Sequence, residues 1–414
     1  MSSLQPVRGT HDLFGDDMRR HREVLNIGRE VANRFGYDEI ITPIFEKTEV
    51  FKRTLGDTSD VVTKEMYTFP TKGGDEITLR PENTAGVARA FMSNGLSQQL
   101  PVKFFYGGPM FRHERPQKGR QRQFHQAGVE LLGVEKPQGD VEIISLGVHF
   151  LKELGVYENT TLELNTLGDQ ESRQAYREAL IEYFSAFKDQ LSEDSLSRLE
   201  KNPLRILDSK DEGDRKLVAD APVFSDYLND LSKDFFAQVK SGLDALGISY
   251  EINPRLVRGL DYYCHTAFEF TTTALGAQGT VLAGGRYDGL IKTMGGPATP
   301  GVGWASGVER LAMLMTRQVV EPKPVVIIPM GEAAEAKAQI LADELRYAAY
   351  RVELGFSGNL KKRLNRANKQ NASVAIIMGD DELAANSATV RDLSSGEQEL
   401  VKLDALADKL SVYR

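Results

Sequence analysis

The segment RQFHQAGVELL, at 122–132, places polar side chains at a spacing that could form a binding site. In an extended strand Arg122, Phe124, Gln126, Gly128 and Glu130 would share one face, because side chains alternate between the two faces of a sheet. That face would carry a cation, an amide and a carboxylate, which are costly to bury without partners. We therefore expect it to line a cleft, with a solvated strand face as the alternative.

A basic segment precedes this strand. HERPQKGRQ joins it to a second predicted strand, KFFYGGPMF at 103–111, and contains Arg115, Lys118 and Arg120, with Arg112 directly before it. Cations on a hairpin tip suit contacts with phosphate groups. A solvated turn is the alternative, since most basic loops are of that kind.

Upstream, TLRPENTAG places Glu82 and Thr84 at the start of a predicted helix near 84–94. A carboxylate and a hydroxyl at this point could bind a ligand. Threonine and asparagine are also common helix N-caps, so a purely structural role is the alternative.

Three downstream segments add polar groups. RLVRGLDYY sets Arg258 near Asp261, Tyr262 and Tyr263, and AGGRYDGL places an arginine, Arg286, after two glycines. GVERLAML places Arg310 in what we expect to be a glycine-led helix over 301–316. An arginine in an otherwise apolar helix is more often a surface or paired residue than a ligand, so each segment alone is a weak signal.

The elements that must position these residues follow from the hydrophobic pattern. Helical spacing predicts helices at 18–36 and 139–154, and strands should dominate the rest of the region from 60 to 165. A mostly helical stretch, about 170–240, should interrupt this strand-rich domain before strand signals return.

The last ninety or so residues have a different organisation. The linker VVEPKPVV contains two prolines, and strands at 325–329, 352–354 and 374–378 then alternate with helices at 332–349 and 358–370. This order predicts a small α/β domain with a parallel sheet. We thus expect one domain over 1–320, a linker at 321–324 and a second domain over 325–414.

Composition limits the setting of the protein. The 414 residues contain no apolar run long enough to span a bilayer, the N-terminus has no features of a signal peptide, and the single cysteine, Cys264, cannot form an internal disulfide. These features favour the cytoplasm and argue against a membrane partner. The net charge of −8 means that any nucleic acid must be bound by local basic patches. The six histidines show no HExxH spacing, so we expect no protein-bound zinc and no metal ligands among the site residues.

Taken together, the motifs resemble a known family. FRHERPQKGRQRQFHQAGVE resembles the second signature motif of class II aminoacyl-tRNA synthetases in its histidyl form, and GVGWASGVERLAML resembles the third. Pro43, in IITPIFEKTEVF, matches the proline of the first, dimer-forming motif, while RLVRGLDYY and AGGRYDGL resemble the two histidine-specific signatures. The resemblance runs from VRGTHD to the end of the chain, with the motifs in the family's order.

The resemblance implies a fold and an activity. The fold would be an α+β catalytic domain of the class II synthetase type, with an antiparallel sheet flanked by helices and a helical insertion, followed by a C-terminal α/β anticodon-binding domain. The activity would be ATP-dependent ligation of L-histidine to histidine tRNA through a histidyl-adenylate, with release of AMP and pyrophosphate. ATP would be a substrate and would carry Mg²⁺.

The resemblance also implies residue roles. Arg112, Arg258 and Arg310 would bind ATP and stabilise the charge that develops during activation. The residues that would bind histidine are Glu82, Thr84, Gln126, Glu130, Tyr262 and Tyr263, with Glu130 and Tyr263 directed to the imidazole.

Contacts with macromolecules follow from the same resemblance. Arg115, Gln117 and Arg122 would lie near the tRNA acceptor end. Lys361, Lys362, Arg363 and Arg366 would form a basic helix on the anticodon side, although a solvated helix face is the alternative for each. Two copies of the chain would pair around Pro43 as a homodimer.

Proteins of other classes share parts of this pattern. The regulatory subunit of ATP phosphoribosyltransferase resembles the catalytic domain but lacks the tRNA-binding end domain and much of the loop chemistry. A tRNA-binding module without catalysis would not require Arg112, Arg258 and Arg310. The intact arginine set and the end domain favour the synthetase.

Overall fold

The structure is a computed structural model that describes residues 4–56, 61–117, 119–257, 262–276 and 279–413. The chain divides into two compact units, Met1–Gln318 and Val319–Arg414. Arg258 and Asp261 of RLVRGLDYY, and Lys118 of the basic loop, lie outside the described residues.

The strands of the first unit form two sheets. They are β1 (Asp38–Glu39), β2 (Phe45–Lys47), β3 (Tyr67–Pro70), β4 (Glu76–Leu79), β5 (Val102–Phe111), β6 (Gln123–Leu132), β7 (Thr161–Thr166), β8 (Glu251–Ile252), β9 (Cys264–Thr271), β10 (Thr280–Arg286) and β11 (Gly301–Gly307). The larger sheet has eight strands in the order β1-β5-β6-β11-β10-β9-β7-β8, and the smaller has the order β2-β4-β3.

The large sheet is antiparallel in its middle and parallel at its ends. Its edge strands β1 and β8 pair in parallel with β5 and β7, so the sheet as a whole is mixed. The predicted hairpin of the basic loop is confirmed: β5 and β6 pair antiparallel, with Gly108 opposite Gln126 and Phe104 opposite Glu130. The hairpin therefore brings Gln126 and Glu130 of β6 into the interior of the sheet.

Helices flank this sheet. They are α1 (Gly15–Arg34), α2 (Thr48–Leu55), α3 (Thr84–Ser93), α4 (Gln138–Glu153), α5 (Gln170–Ser185), α6 (Glu193–Lys201), α7 (Glu212–Ala219), α8 (Asp230–Ala245), α9 (Leu290–Thr293) and α10 (Val308–Leu314). Single helical turns occur at Val61–Glu65, Leu96–Gln99, Tyr157–Asn159, Lys188–Gln190, Pro203–Asp208 and Phe224–Tyr227.

Helices α5 to α8 form the helical stretch expected from the sequence. Tyr176, Leu180 and Phe184 recur at helical spacing on α5 and are fully buried, and they share one hydrophobic cluster with Leu199 and Phe224. A helix of this kind is stabilised mainly by burying its apolar face.

The prediction of a helix over 301–316 was wrong in its first half. Gly301–Gly307 is strand β11, which pairs with β6 on one side and β10 on the other, and the helix α10 begins only at Val308. The glycines serve close packing: a Cβ at Gly303 would collide with the carboxylate of Glu130. The strand therefore passes tightly beside Glu130, and Arg310 follows one turn later.

The second unit has a five-stranded sheet in the order β13-β12-β14-β15-β16. Its strands are β12 (Val325–Pro329), β13 (Val352–Leu354), β14 (Val374–Met378), β15 (Ser387–Asp392) and β16 (Gln398–Lys402); its helices are α11 (Glu332–Tyr347), α12 (Leu360–Lys369), α13 (Asp380–Ala384) and α14 (Leu406–Leu410), with single turns at Leu403–Ala405 and Ser411–Tyr413. The first three strands are parallel as predicted, but β15 and β16 are antiparallel. The expected parallel sheet is thus mixed, because a hairpin with no crossover helix ends it.

Candidate active site

A cavity of about 630 Å³ lies on one face of the large sheet. This volume is in the range of small-molecule binding sites. The predicted site residues that line it are Glu82, Thr84, Arg112, Gln126, Glu130, Tyr262, Tyr263 and Arg310. The fold therefore assembles in one place residues that are far apart in the sequence.

Glu130 is the most unusual group in the cavity. It is buried, and its carboxylate accepts hydrogen bonds from the Thr84 hydroxyl, at 2.6 Å, and from the Tyr287 hydroxyl. No lysine or arginine among the described residues forms an ion pair with it. Burial raises the pKa of Glu130 to about 8, against the effect of these hydroxyl donors. A bound N–H group would stabilise the charged carboxylate.

Glu82 is fixed by the first turn of helix α3. Its carboxylate accepts hydrogen bonds from the backbone N–H groups of Thr84, at 2.7 Å, and Ala85, at 3.0 Å. The helix is thus capped by Glu82, whereas Asn83 makes no capping hydrogen bond and the Thr84 hydroxyl is directed to Glu130. Burial raises the pKa of Glu82, and the N–H donors and Arg112 oppose that rise.

Gln126 lies two residues from Gly128 and four from Glu130 on the same strand face. Its side-chain oxygen is buried and has no hydrogen-bond partner among the described residues. Buried polar atoms in native proteins are nearly always satisfied by protein, water or ligand. Gln126 therefore offers an acceptor to a ligand with an N–H or ammonium group.

The other part of the cavity is cationic. Arg112 donates to the Pro81 carbonyl at 2.9 Å and lies over the Phe124 ring, while Arg310 donates to the carbonyls of Gly119 and Thr280 at 3.1 and 2.6 Å. The pKa of Arg310 is lowered by burial and by the charges of Arg120 and Arg112. The guanidinium groups of Arg112 and Arg310 are fixed by backbone carbonyls and that of Arg120 by the Glu114 carboxylate, and together they form a site suited to a polyphosphate.

Sequence reasoning did not select Tyr287 as a residue of this cavity, and it noted Arg120 only as a cation of the basic loop. Tyr287 follows Arg286 in AGGRYDGL and lines the cavity, whereas Arg286 is fully buried beside Asp140 and does not line it. Arg120 also lines the cavity and is paired with Glu114 at 2.8 Å. The signal for Tyr287 was its place directly after a noted arginine, at the point where strand β10 ends.

The residues expected to meet the tRNA acceptor end differ in exposure. Arg115 and Gln117 are exposed, and the backbone of Gln117 pairs with that of Arg120 across the tip of the loop. Arg122 is half-buried, its side chain donates to the Glu114 carbonyl at 3.3 Å, and its backbone N–H donates to Gly9. Arg122 therefore supports the loop from within, and none of the three lines the cavity.

Helix α12 of the second unit carries the predicted basic residues. Lys361, Lys362 and Arg366 are exposed, and Asn359 caps the helix by accepting the backbone N–H of Lys362 at 3.0 Å. Arg363 differs, because its guanidinium donates to the backbone carbonyls of Gly358 and Pro329. Three of the four cations thus present a positive surface.

The described helices include none that is long and apolar enough to cross a membrane.

Known proteins match this chain over its full length. A family model described as histidyl-tRNA synthetase matches residues 9–311, and one described as an anticodon binding domain matches residues 324–412. The histidine–tRNA ligase of Rhodospirillum rubrum is 64% identical over 414 residues and that of Gluconobacter oxydans is 58% identical, each with 100% of both chains covered. The apo histidyl-tRNA synthetase of S. aureus superposes with a TM-score of 0.83 at 35% identity, covering 98% of this chain and 99% of that one. With its cavity motifs, its two-unit fold and these full-length matches, the chain belongs to the histidyl-tRNA synthetase family.

Proposed function

We propose that the protein ligates L-histidine to histidine tRNA in two steps, with ATP as the energy source. In the first step the histidine carboxylate attacks the α-phosphorus of ATP, the bond to the β-phosphate oxygen breaks, and pyrophosphate leaves. In the second the histidyl group passes to the terminal adenosine of the tRNA and AMP is released. The observation that carries this proposal is a single cavity with a buried carboxylate beside a cluster of guanidinium groups.

The carboxylate part of the cavity suits histidine. Glu130 would accept an imidazole N–H, and the hydroxyls of Tyr263 and Tyr262, which can donate or accept, lie in the same lining. Glu82, Thr84 and Gln126 would hold the α-amino and carboxylate groups. The unpartnered Gln126 oxygen and the raised pKa of Glu130 support this arrangement, because both groups would gain a donor.

The cationic part suits ATP. Arg112 would contact the α-phosphate, and Arg310 the γ-phosphate and the adenine face. Arg258, which the structure does not describe, is proposed to stand beside the α-phosphate. Fixed guanidinium groups favour the transition state because negative charge increases on the phosphate oxygens as pyrophosphate leaves.

Mg²⁺ would enter with ATP. Glu163 and Glu269 lie directly opposite each other on β7 and β9, and both line the cavity. Carboxylate oxygens are suitable Mg²⁺ ligands. A Mg²⁺ ion held there and by the phosphates would neutralise part of the ATP charge. The reaction itself requires no protein-bound zinc.

The tRNA would contact both units. Arg115, Gln117 and Arg122 are proposed to serve the acceptor end, and helix α12, with Lys361, Lys362, Arg363 and Arg366, the anticodon side. Gln117→Ala should slow transfer to tRNA and leave adenylate formation nearly intact, since Gln117 is exposed and outside the cavity. Loss of histidine activation in a folded Gln117→Ala protein would contradict this assignment.

A homodimer is the proposed assembly. Around Pro43 the side chains of Ile41, Ile44 and Phe45 are 83%, 44% and 54% exposed, an apolar surface that a second copy would cover. Ile40 is less exposed and packs inside its own chain. Sedimentation should give twice the chain mass of 46.0 kDa. A fully active monomer at micromolar concentration would contradict the proposal.

We place the protein in the cytoplasm, where its substrates are made and where a free thiol such as Cys264 stays reduced.

One assay tests the central proposal. Purified protein should exchange labelled pyrophosphate into ATP only when L-histidine is present, and the product of the full reaction should be histidyl-tRNA. A regulatory subunit of ATP phosphoribosyltransferase would show no exchange, and that alternative is not favoured by the full-length match to histidine–tRNA ligases. Exchange that depends on another amino acid, or no exchange, would overturn the proposal.

A further inference from the structure

Three side chains from separate elements meet beside the cavity, which one of them, Glu309, also lines. His21 is on α1, His125 on β6 and Glu309 on α10, and one potential ligand atom from each lies within 4.8 Å of the other two. The two imidazole rings meet edge to face, with centroids 4.4 Å apart. None of the three has a role in the proposed reaction.

His125 is oriented by Glu309. The Nδ1 atom of His125 lies 2.8 Å from Glu309 Oε1, and the backbone N–H of His125 donates to both carboxylate oxygens, at 2.9 and 3.0 Å. Since a carboxylate only accepts, Nδ1 carries the proton, and Nε2 keeps a lone pair. Histidines that bind metals are commonly held by a carboxylate in this way.

His21 has no such partner. It is 5% exposed on the buried face of α1, beside Val24, and neither ring nitrogen has a hydrogen-bond partner among the described residues. A neutral imidazole always carries one donor and one acceptor, so this burial is unfavourable unless a further group is bound.

Helices α1 and α10 are held together beside the cluster, yet two of its three side chains are partly exposed to solvent. Arg20, next to His21, donates to the carbonyls of Ala312 and Met315 at 2.8 and 2.6 Å and so joins α1 to the end of α10. The side chains of His125 and Glu309 remain 19% and 15% exposed. An ion and its water ligands could therefore enter from the side of His125 and Glu309.

We propose that His21, His125 and Glu309 form a binding site for a divalent transition metal, with Zn²⁺ as the best match to two imidazoles and a carboxylate. Water would complete the coordination, and the ion would join α1, β6 and α10. Spacing along the chain does not indicate such a site, because the ligands come from three distant segments and not from an HExxH helix. The inference does not depend on the proposed catalytic function.

Metal binding can be measured on the whole protein after treatment with a chelator. Titration with Co²⁺ should give one equivalent of bound ion per chain, with visible absorption typical of a coordinated ion, and Zn²⁺ should displace it. His21→Phe removes one ligand while keeping a ring in the buried position, so it should lower the affinity at least about tenfold, as losses around metal sites do. His149→Phe is the matched control, because His149 is exposed and only packs against Phe35.

A second readout follows the fold. Zn²⁺ should raise the melting temperature of wild type and of His149→Phe but not of His21→Phe, and crystals grown with Zn²⁺ should show anomalous scattering between the three side chains. If His21→Phe does not fold, Glu309→Gln takes its place and should lose the Co²⁺ spectrum. Absence of binding by wild type, equal binding by the His21→Phe variant, or a water without anomalous signal at this position would overturn the proposal.

Discussion

Glu130 and Arg286 are both fully buried ionisable residues of the large sheet, but within the part of the chain that the structure describes only Arg286 has oppositely charged partners. Arg286 forms an ion pair with Asp140, has a further pair with Asp288 at 3.1 Å, and donates to the Val134 carbonyl at 2.8 Å. Glu130 has hydroxyl donors but no cation among the described residues, and its pKa is raised to about 8. The charge of Arg286 is thus fully compensated within the folded chain, whereas Glu130 gains a partner for its charged form only when a ligand binds.

The two regions are joined by adjacent residues. Arg286 and Tyr287 are consecutive, yet Arg286 points to helix α4 while the Tyr287 hydroxyl donates to Glu130. Arg286, the last residue of β10, therefore secures a helix, and Tyr287, the residue after it, forms part of the cavity. A substitution that breaks the Arg286 ion pair should affect stability, and a substitution at Tyr287 should affect substrate use.

The largest effect is expected at the ion pair. Asp140→Ala leaves the Arg286 charge buried without its main partner, and removing one member of a buried pair costs about 3–5 kcal/mol. Urea unfolding should show a loss of that order. Asp288→Ala should cost less, because Asp288 is 36% exposed. The double change Arg286→Met with Asp140→Leu should recover part of the stability, and equal stability of Asp140→Ala and wild type would show that the pair is unimportant.

On the cavity side, Arg258→Ala should give the largest loss of rate. Removing one fixed donor at a developing charge typically costs about 10²–10³ in rate. Arg258→Lys should rescue poorly because a point charge cannot contact two oxygens as a guanidinium does. The kcat of pyrophosphate exchange and the melting temperature separate this role from a structural one. If Arg258 only pairs with Asp261, the melting temperature or KM will change while kcat stays near wild type.

Much of this arrangement follows from local sequence pattern. The face of β6, the hairpin and the start of α3 were predicted because alternation and helical spacing are set by neighbours in the chain. Gly301–Gly307 was not, since three glycines in seven residues gave no strand signal, and the reason for Gly303 is the space that Glu130 occupies in the tertiary structure. Tyr287 was missed for a similar cause: a cavity is formed by contacts between distant segments, which spacing alone does not report.

Tyr287→Phe should affect histidine use more than stability. The change removes a hydroxyl donor from Glu130, and a hydrogen bond to a charged group contributes about 1.5–3 kcal/mol. Exchange assays should therefore show kcat/KM for histidine reduced about tenfold or more. Tyr176→Phe is the matched control, because its buried hydroxyl donates to the Pro222 carbonyl, at 3.0 Å, away from the cavity. Similar losses in both variants would mean that Tyr287 acts only through the fold.

The effect most specific to the comparison is the pH dependence of stability at Glu130. The pKa of Glu130 is about 8 in the folded chain, above its ordinary value of 4.5, so the folded state holds the proton more tightly than the unfolded state. This contribution is fully present below the ordinary value and is lost as pH rises towards about 8, with a slope of at most about 1.4 kcal/mol per pH unit.

Glu130→Gln keeps the shape of the side chain and removes the titration. The variant should use histidine poorly, yet its free energy of unfolding should fall less than that of wild type as pH rises, so that without substrate it becomes relatively more stable towards pH 8. Urea unfolding across this pH range measures the difference, and Glu135→Gln, a change at an exposed carboxylate, should reproduce the wild-type curve. Parallel curves for wild type and Glu130→Gln would mean that Glu130 is already charged in the free protein. The charge of the Glu130 carboxylate would then be compensated within the folded chain, as that of Arg286 is, and the contrast between the two regions would be lost.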